Sequence, residues 1–453
     1  MRFARSSSRG PTRFVAAAAL APLFGCSVLG SHDPPDLLLI TVDTLRADRL
    51  GCYGAPGDPT PNIDALAREA VLFEAASTTI PRTTQAFASL FTGRHPIEHG
   101  VLEIGEYLTL DALTLAEQLR AAGYATAGIS SNLLAGSFQG MHQGFERFID
   151  ATDLQQHHEE AGGEGPFHAE TVTASGLDCL MGLDSDRPRF LWVHYTDPHF
   201  PYDPPLKSEA NTDADVLSGR AFYRELRDFE PRSATIQFDL NGRSSALRDT
   251  LSRLYDREIR HTDEMIGPLL DAWVEATEGG SSLVAFTADH GESLGEHGYF
   301  YEHGDFVYEP SSRIPLLLRL PDGVRGGGRV ETPVSIVDVA PTLLQLLGLD
   351  PLPDASGADL RGLLRGDEGA ASRGPVFIES GSALHPQNPQ RSFAGRRRPE
   401  GPGQSSFISA REENWVLVRE REGESPRLYD ATNDPAFSVD LAAEHPERVR
   451  RLA

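Results

Sequence analysis

The run LLLITV at residues 37–42, closed by Asp43, constrains this chain more than any other stretch. Six apolar or β-branched residues in a row describe a strand covered on both faces, as in a parallel sheet between two helical layers. An acid at the C-terminal end of such a strand stands where open α/β sheets place their ligands. Two more runs share this build: RFLWVHY, which empties into TDPHFPYDPP, and SSLVAFTADHGE, in which Asp289 and His290 follow the apolar stretch. Around them helix and strand patterns alternate, TPNIDALAREA before VLFEA and LTLAEQLRAAG before YATAGIS, which predicts an α/β fold wound around a mostly parallel sheet. RIPLLLRLP adds a strand and VDVAPTLLQLLG a core helix. From 244 to 276 apolar residues recur every three or four positions, predicting one long amphipathic helix kinked at Pro268. PVFIES, SFISAREENWVLVRE and RLYDA predict a smaller antiparallel C-terminal sheet. The polar stretches 153–175 and 206–245 read as surface insertions, and 385–404 as a Pro/Gly/Arg loop. The division that follows is a leader and linker over 1–30, a catalytic α/β domain over 31–370 and a small-sheet subdomain over 371–453.

Within this frame one hydroxyl stands out. Thr83 precedes TQAFASLF, a run of small and apolar residues that predicts a short buried helix, stopped by Thr92 and Gly93. At a helix N-terminus the unpaired N–H groups and the positive end of the dipole stabilise an alkoxide or an anionic ester, which makes a weak nucleophile useful. The competing reading is a capping threonine. Asp43, Asp289 and His290, gathered at one edge of the sheet, form a mixed carboxylate and imidazole set suited to a divalent cation. Its oxygens favour Ca²⁺, Mg²⁺ or Mn²⁺, and its histidine admits Zn²⁺. His199 and His303 follow the same logic, and Asp197 with those two histidines is a possible second metal site.

Composition narrows the partners. A net charge of −25 excludes a basic surface able to pair nucleic-acid phosphates. Arg2, Arg5, Arg9 and Arg13 precede FVAAAALAPLF, an apolar core too short to span a membrane, so the first thirty residues read as an export signal. Gly25-Cys26 resembles a bacterial lipoprotein cleavage site, which implies a mature chain that starts at Cys26 and carries a membrane-anchoring lipid on its sulfur. Cys52 and Cys179 allow one disulfide at most and are read as buried and inert.

LLLITVDTLRADRLGCYG, TPNIDALA, SLFTGRHPIEHGV, HYTDPHFPY, ADHGESLGEHG, IPLLLRLP, VDVAPTLLQLLG and LYDATNDP resemble, in order, the motifs of the sulfatase family in the alkaline phosphatase superfamily. The resemblance implies a large α/β sandwich around a mixed sheet with a smaller C-terminal sheet, a sulfate or phosphate ester substrate of small-molecule or glycan type, and one divalent metal, calcium first, with manganese or zinc as alternatives. It assigns Asp43, Asp289 and His290 to the metal, His199 to the ester or leaving oxygen, and His303 to a Lys or His position near the sulfate. The departures concern the nucleophile. The family's Cys or Ser, which becomes formylglycine, is Thr83 here, and a β-methyl group forbids that conversion. Gln85 stands for the motif's proline, Phe87 for its arginine, and Thr44 for a second metal-binding aspartate; Arg82 or Arg94 could restore the missing charge. Branches of the superfamily use an unmodified threonine on phosphate esters, as diesterases or phosphotransferases. A decayed site that only binds its ligand is the remaining alternative.

Overall fold

The computed structural model describes residues 34–453 apart from 104, 164–166, 206–220, 222–244, 278–281, 322–325, 368, 371–372, 382–406 and 421–424. Eight strands build the main sheet: β1 (Asp36–Val42), β2 (Val71–Phe73), β3 (Ala125–Ser130), β4 (Arg147–Ile149), β5 (Arg189–Tyr195), β6 (Ser282–Ala288), β7 (Leu316–Arg319) and β8 (Arg329–Val330). Their spatial order is β8-β2-β7-β6-β1-β5-β3-β4. β4, β3, β5, β1 and β6 are mutually parallel, and β7 runs against both its neighbours. The sheet is therefore mixed and mostly parallel, with the first strand near its middle. β1 is apolar along its length because both its faces and both its edges are covered.

The helices that matter are α1 (Pro61–Glu69), α2 (Thr83–Thr92), α3 (Leu115–Ala121), α4 (Ala151–Glu160), α5 (Ala169–Gly182), α6 (Ser245–Ala276) and α7 (Val339–Leu346). Consecutive residues of β5 show that they form two layers. Trp192 meets Phe87 of α2 at 5.2 Å between ring centroids, whereas Val193 faces Gly176 of α5. α1 and α5 pack against α6 on one side, and α2, α3 and α7 pack together on the other. α6 is a single helix of 32 residues that passes through Pro268. The stretch 153–175 corrects the expectation of an irregular insertion. Residues 153–160 lie in α4 and 169–175 in α5, where Asp150 caps α4 through the N–H groups of Thr152 and Asp153, and Val172, Cys179 and Leu180 of α5 are buried. Nearly all of 206–245 and 385–404 falls outside the described residues, as does everything before Pro34.

A second sheet, β9 (Val376–Glu379), β10 (Phe407–Glu412), β11 (Trp415–Glu420) and β12 (Arg427–Asp430), is antiparallel in chain order. It has an apolar cluster of its own, built from Ile378, Phe407, Val416, Val418 and Tyr429 with Val307 and Tyr308 of the larger region. Residues 34–453 form one compact unit. Among the described residues no helix is long and apolar enough to cross a membrane.

Candidate active site

The register of the central strands assembles the site. Val42 is level with Ala288 of β6 and with Tyr195 of β5, so the next residues, Asp43 and Asp289, emerge side by side. Ligand atoms of Asp43, Asp289 and His290 lie within 4.8 Å of one another, all three residues being buried. His290 Nε2 is 3.8 Å from Asp43 Oδ1 and 3.4 Å from Asp289 Oδ2. His290 Nδ1 is 3.0 Å from the Gly291 carbonyl, which only accepts, so Nδ1 carries the proton and Nε2 presents a lone pair to the site.

α2 delivers the hydroxyl. All ten of its residues are buried, and no side chain caps its N-terminus. Thr83 is the first helical residue, and its Oγ1 is 3.4 Å from His290 Nε2. The Thr83 hydroxyl thus stands at a helix N-terminus, where first-turn N–H groups lack intrahelical partners. A chain of buried polar groups holds the helix in place: His99 Nε2 donates to Ser89 Oγ at 3.1 Å, Ser89 meets Thr79 Oγ1 at 2.8 Å, and His99 Nδ1 accepts the Val101 N–H at 3.2 Å. Phe87 stands edge-on to the His194 ring, 4.7 Å between centroids, and continues into Trp192 and Phe91. An aromatic wall thus occupies the place where the family motif has an arginine.

The remaining two histidines join the group. The ring of His303 is 4.2 Å from that of His290, and the ring of His199 is 5.3 Å from that of His303. Nδ1 of His199 donates to the Phe200 carbonyl at 2.6 Å, which turns Nε2 outward. All six residues singled out in the sequence therefore meet in one place. Asp197 does not join them. It accepts the Ala169 N–H at 2.9 Å and faces His168 at 3.5 Å, and among the described residues Asp197, His199 and His303 do not form a metal-ligand cluster. Arg94 lies beyond the opposite end of α2, and the cation at the hydroxyl end is Arg82.

Three contributors were not foreseen. Asn132, at the end of β3, donates through Nδ2 to Asp43 Oδ2, with its orientation fixed by the Leu134 N–H on Oδ1 at 2.8 Å. His194, in β5, is fully buried with Nε2 3.8 Å from Asp43 Oδ2. Glu292, also fully buried, faces His303 Nδ1 at 3.2 Å and accepts the Tyr202 hydroxyl at 3.2 Å. Only Glu292 had a signal in the sequence, as the carboxylate two places after His290.

The electrostatics describe a site built around positive charge. Burial pushes the Asp289 carboxyl well up, and the neighbouring Asp43 charge adds to that. Burial also works to raise Asp43, but His199, His290, His194 and His303 together hold it below its ordinary value. Glu292 rises to about 8 through burial, opposed by His199. Two adjoining buried carboxylates cannot both be ionised without a compensating cation. Among the described residues, Asp43 Oδ1, Asp289 Oδ2 and the buried Thr44 Oγ1 make no hydrogen bond of good geometry, although the Thr83 hydroxyl is close enough to Asp289 to oppose the rise of its pKa. Those oxygens and His290 Nε2 fit a divalent metal, which would give the two carboxylate oxygens their missing partner. Thr44 supplies a neutral oxygen in place of an aspartate and holds a left-handed backbone (φ 52°), from which its N–H reaches Asp289 Oδ1 at 3.3 Å.

Comparison with known proteins follows this geometry. The sulfatase family model matches residues 35–349. A structure of a protein in complex with its substrate D-glucosamine-2-N,6-O-disulfate superposes with a TM-score of 0.71 at 22% identity, over 93% of this chain and 96% of that one. The phosphonate monoester hydrolase of Silicibacter pomeroyi does so with a TM-score of 0.70 at 23% identity, over 92% and 93%. The ulvan-active sulfatase of Formosa agariphila is 26% identical over 397 residues, 81% of this chain and 74% of that protein. The fold is that of the alkaline phosphatase-like ester hydrolases. Within that class, the chain belongs to the sulfatase family.

Proposed function

We propose that this protein is an exported, metal-dependent hydrolase that cleaves an anionic ester, a sulfate ester by family, through attack of the unmodified Thr83 hydroxyl. The observation that carries this reading is the approach of Thr83 Oγ1 to His290 Nε2 at the uncapped N-terminus of a buried helix, facing two unpaired carboxylate oxygens. Asp43, Asp289 and His290, with Thr44 Oγ1 as a neutral neighbour, would hold one divalent metal, calcium by the predominance of oxygen. Such an ion supplies Lewis-acid stabilisation of ester oxygens and of a deprotonated hydroxyl.

The protein's own groups divide the remaining work. Thr83 Oγ loses its proton to solvent water, regaining one when its ester is hydrolysed, and forms a bond to the central sulfur or phosphorus, while the first-turn N–H groups of α2 stabilise the charge that develops. The bond to the leaving oxygen breaks, and that oxygen takes a proton from His199 Nε2. His199 suits this role better than His303. Burial opposes its protonation, but Asp43 and Glu292 outweigh it and raise its pKa above the ordinary value, whereas burial and the His199 charge bring His303 down to about 3. Neutral His303, oriented by Glu292, then donates or accepts a single hydrogen bond. Water attacks the Thr83 ester in the second step, returning the proton to His199 and releasing the inorganic anion.

A second reading, phosphate or phosphonate esters as substrates, is favoured by Thr83 itself. A threonyl phosphate can be hydrolysed by in-line attack of water, whereas the formylglycine route, through its hydrated aldehyde, is closed to a β-methyl side chain. Assay of the metal-loaded protein against aryl sulfate, phosphate monoester, phosphodiester and phosphonate monoester decides between them. Absence of turnover on all four would sink the hydrolase reading in favour of a ligand-binding relic. The export proposal rests on the Arg-rich start, the apolar core and Gly25-Cys26. It predicts a mature chain that begins at a lipid-modified Cys26, and an intact, unmodified N-terminus in mass spectra of the expressed protein would contradict it.

A further inference from the structure

Arg82 occupies the residue before the nucleophile, and its surroundings are unlike those of a surface arginine. It is 9% exposed and makes one hydrogen bond among the described residues, from Nη2 to Asp305 Oδ1 at 3.1 Å. Nε is buried with no partner among the described residues. A desolvated guanidinium with unused donors is costly unless something else satisfies it. Two glycines make the space: a Cβ on Gly304 would lie 2.5 Å from Arg82 Nε, and one on Gly381 would lie 2.1 Å from it. Those glycines are tied together by the Gly381 N–H on the Gly304 carbonyl at 2.7 Å, and the Glu379 N–H on the Thr79 carbonyl at 2.8 Å fixes the end of β9 against the approach to α2. Gly304 follows His303, so the slot opens beside the histidines, and the Arg82 charge is felt at His303. The second sheet thus helps to shape the active site.

We propose that Arg82 is a substrate-binding, specificity-determining residue: its guanidinium, held between Gly304 and Gly381 at the N-terminus of α2, binds an unesterified oxygen of the ester anion that the metal does not hold. This rests on the hydrolase reading above. It replaces the positive charge that Phe87 does not supply, from a different point on the same helix. An oxygen held there must carry no substituent, and a second cation beside the metal favours a phosphate monoester, with up to two negative charges, over a diester, with one. Arginine suits this task because its planar fork holds an oxyanion with fixed geometry.

The test measures binding separately from turnover. Dissociation constants for inorganic phosphate and inorganic sulfate are determined by calorimetry on calcium-loaded wild type, Arg82→Ala, Arg82→Lys and Thr83→Ala, with metal content and melting temperature checked for each. Arg82→Ala is expected to weaken both anions by roughly ten- to a hundredfold, the scale of a charge-assisted hydrogen bond. Arg82→Lys should fall between it and wild type, and Thr83→Ala should bind within about threefold of wild type, because the charge remains. The ratio of kcat/KM for p-nitrophenyl phosphate over methyl p-nitrophenyl phosphate should drop roughly tenfold or more in Arg82→Ala. If Arg82→Ala does not fold, Gly381→Ala displaces the guanidinium without removing it and should weaken anion binding in the same way. Unchanged anion binding in a folded, metal-replete Arg82→Ala protein overturns the assignment, as does a wild type that binds neither anion. Arg82-dependent binding in a wild type without turnover supports Arg82 and counts against Thr83 as nucleophile.

Discussion

Thr83 can be read as a cap or as a nucleophile, and the two roles respond differently to the same substitution. As nucleophile, Thr83→Ala should lower kcat by roughly a thousandfold or more with little change in melting temperature, and Thr83→Ser should keep part of the rate. As cap, alanine would cost about 1 kcal/mol of stability and leave turnover intact. The structure favours the first pattern, because no side chain caps α2 and the hydroxyl turns to His290 instead. His99 supplies a second test at this scale. Burial, with Arg94 nearby, lowers its pKa from 6.5 to about 3, and its two hydrogen bonds require the neutral ring. Between those values the unfolded chain binds a proton that the folded chain does not, so stability falls as pH falls, by up to about 1.4 kcal/mol per pH unit. Urea unfolding at pH 6 and pH 5 should show wild type losing roughly 1 kcal/mol more than His99→Gln over that step. Equal losses would place the acid sensitivity elsewhere.

Helix α2 ends as deliberately as it begins. Gly93 adopts a left-handed conformation (φ 65°), and its carbonyl accepts the N–H groups of Ser356 and Gly357. A Cβ there would stand 3.0 Å from both Ala355 and Pro341. Gly93→Ala is therefore expected to destabilise by about 1–2 kcal/mol, read by urea unfolding, without abolishing metal binding. Elements of this kind were legible in the sequence because their signals are local: an unbroken apolar run for β1, a Thr-to-Gly bracket for α2, a three-to-four spacing for α6. α4 and α5 were not: α4 buries only Ala151 and Leu154 under a polar face, and the buried side of α5 is built largely from small residues, Ala169, Thr173, Ser175 and Gly176, that carry little apolar signal. Asp43, Asp289 and His290 could be singled out because each directly follows an apolar strand or its closing acid. His194 had no signal, because a buried imidazole looks, in sequence, like an exposed one, and Glu292 had only its place two residues after His290. Asn132 escaped because its partner lies 89 residues away. Arg82 was visible as a charge, but its burial between two distant glycines was not.

For the whole molecule, a cation bound only by the folded state stabilises it by RT ln(1 + [L]/Kd), about 2.7 kcal/mol at a hundredfold excess over Kd. For a chain of this size that is about 3 °C in melting temperature. Chelation should remove the increment along with any activity, and Asp289→Asn should melt at one temperature with or without calcium; a wild type indifferent to chelator and free of metal by elemental analysis would contradict the metal assignment. The central position of β1 matters beyond the finished fold. Its partners are β5 and β6, so a nascent chain holds its most hydrophobic strand from the outset but gains the second flank only after residue 288. Until then that strand has an unpaired edge, open to association with other chains. The proposed active site, drawing on residues 43, 83, 199, 290 and 303, closes in the same late step. No truncated product that stops short of β6 can possess it, and a cell that makes this chain must shield an incomplete sheet until more than half of the polypeptide has been made.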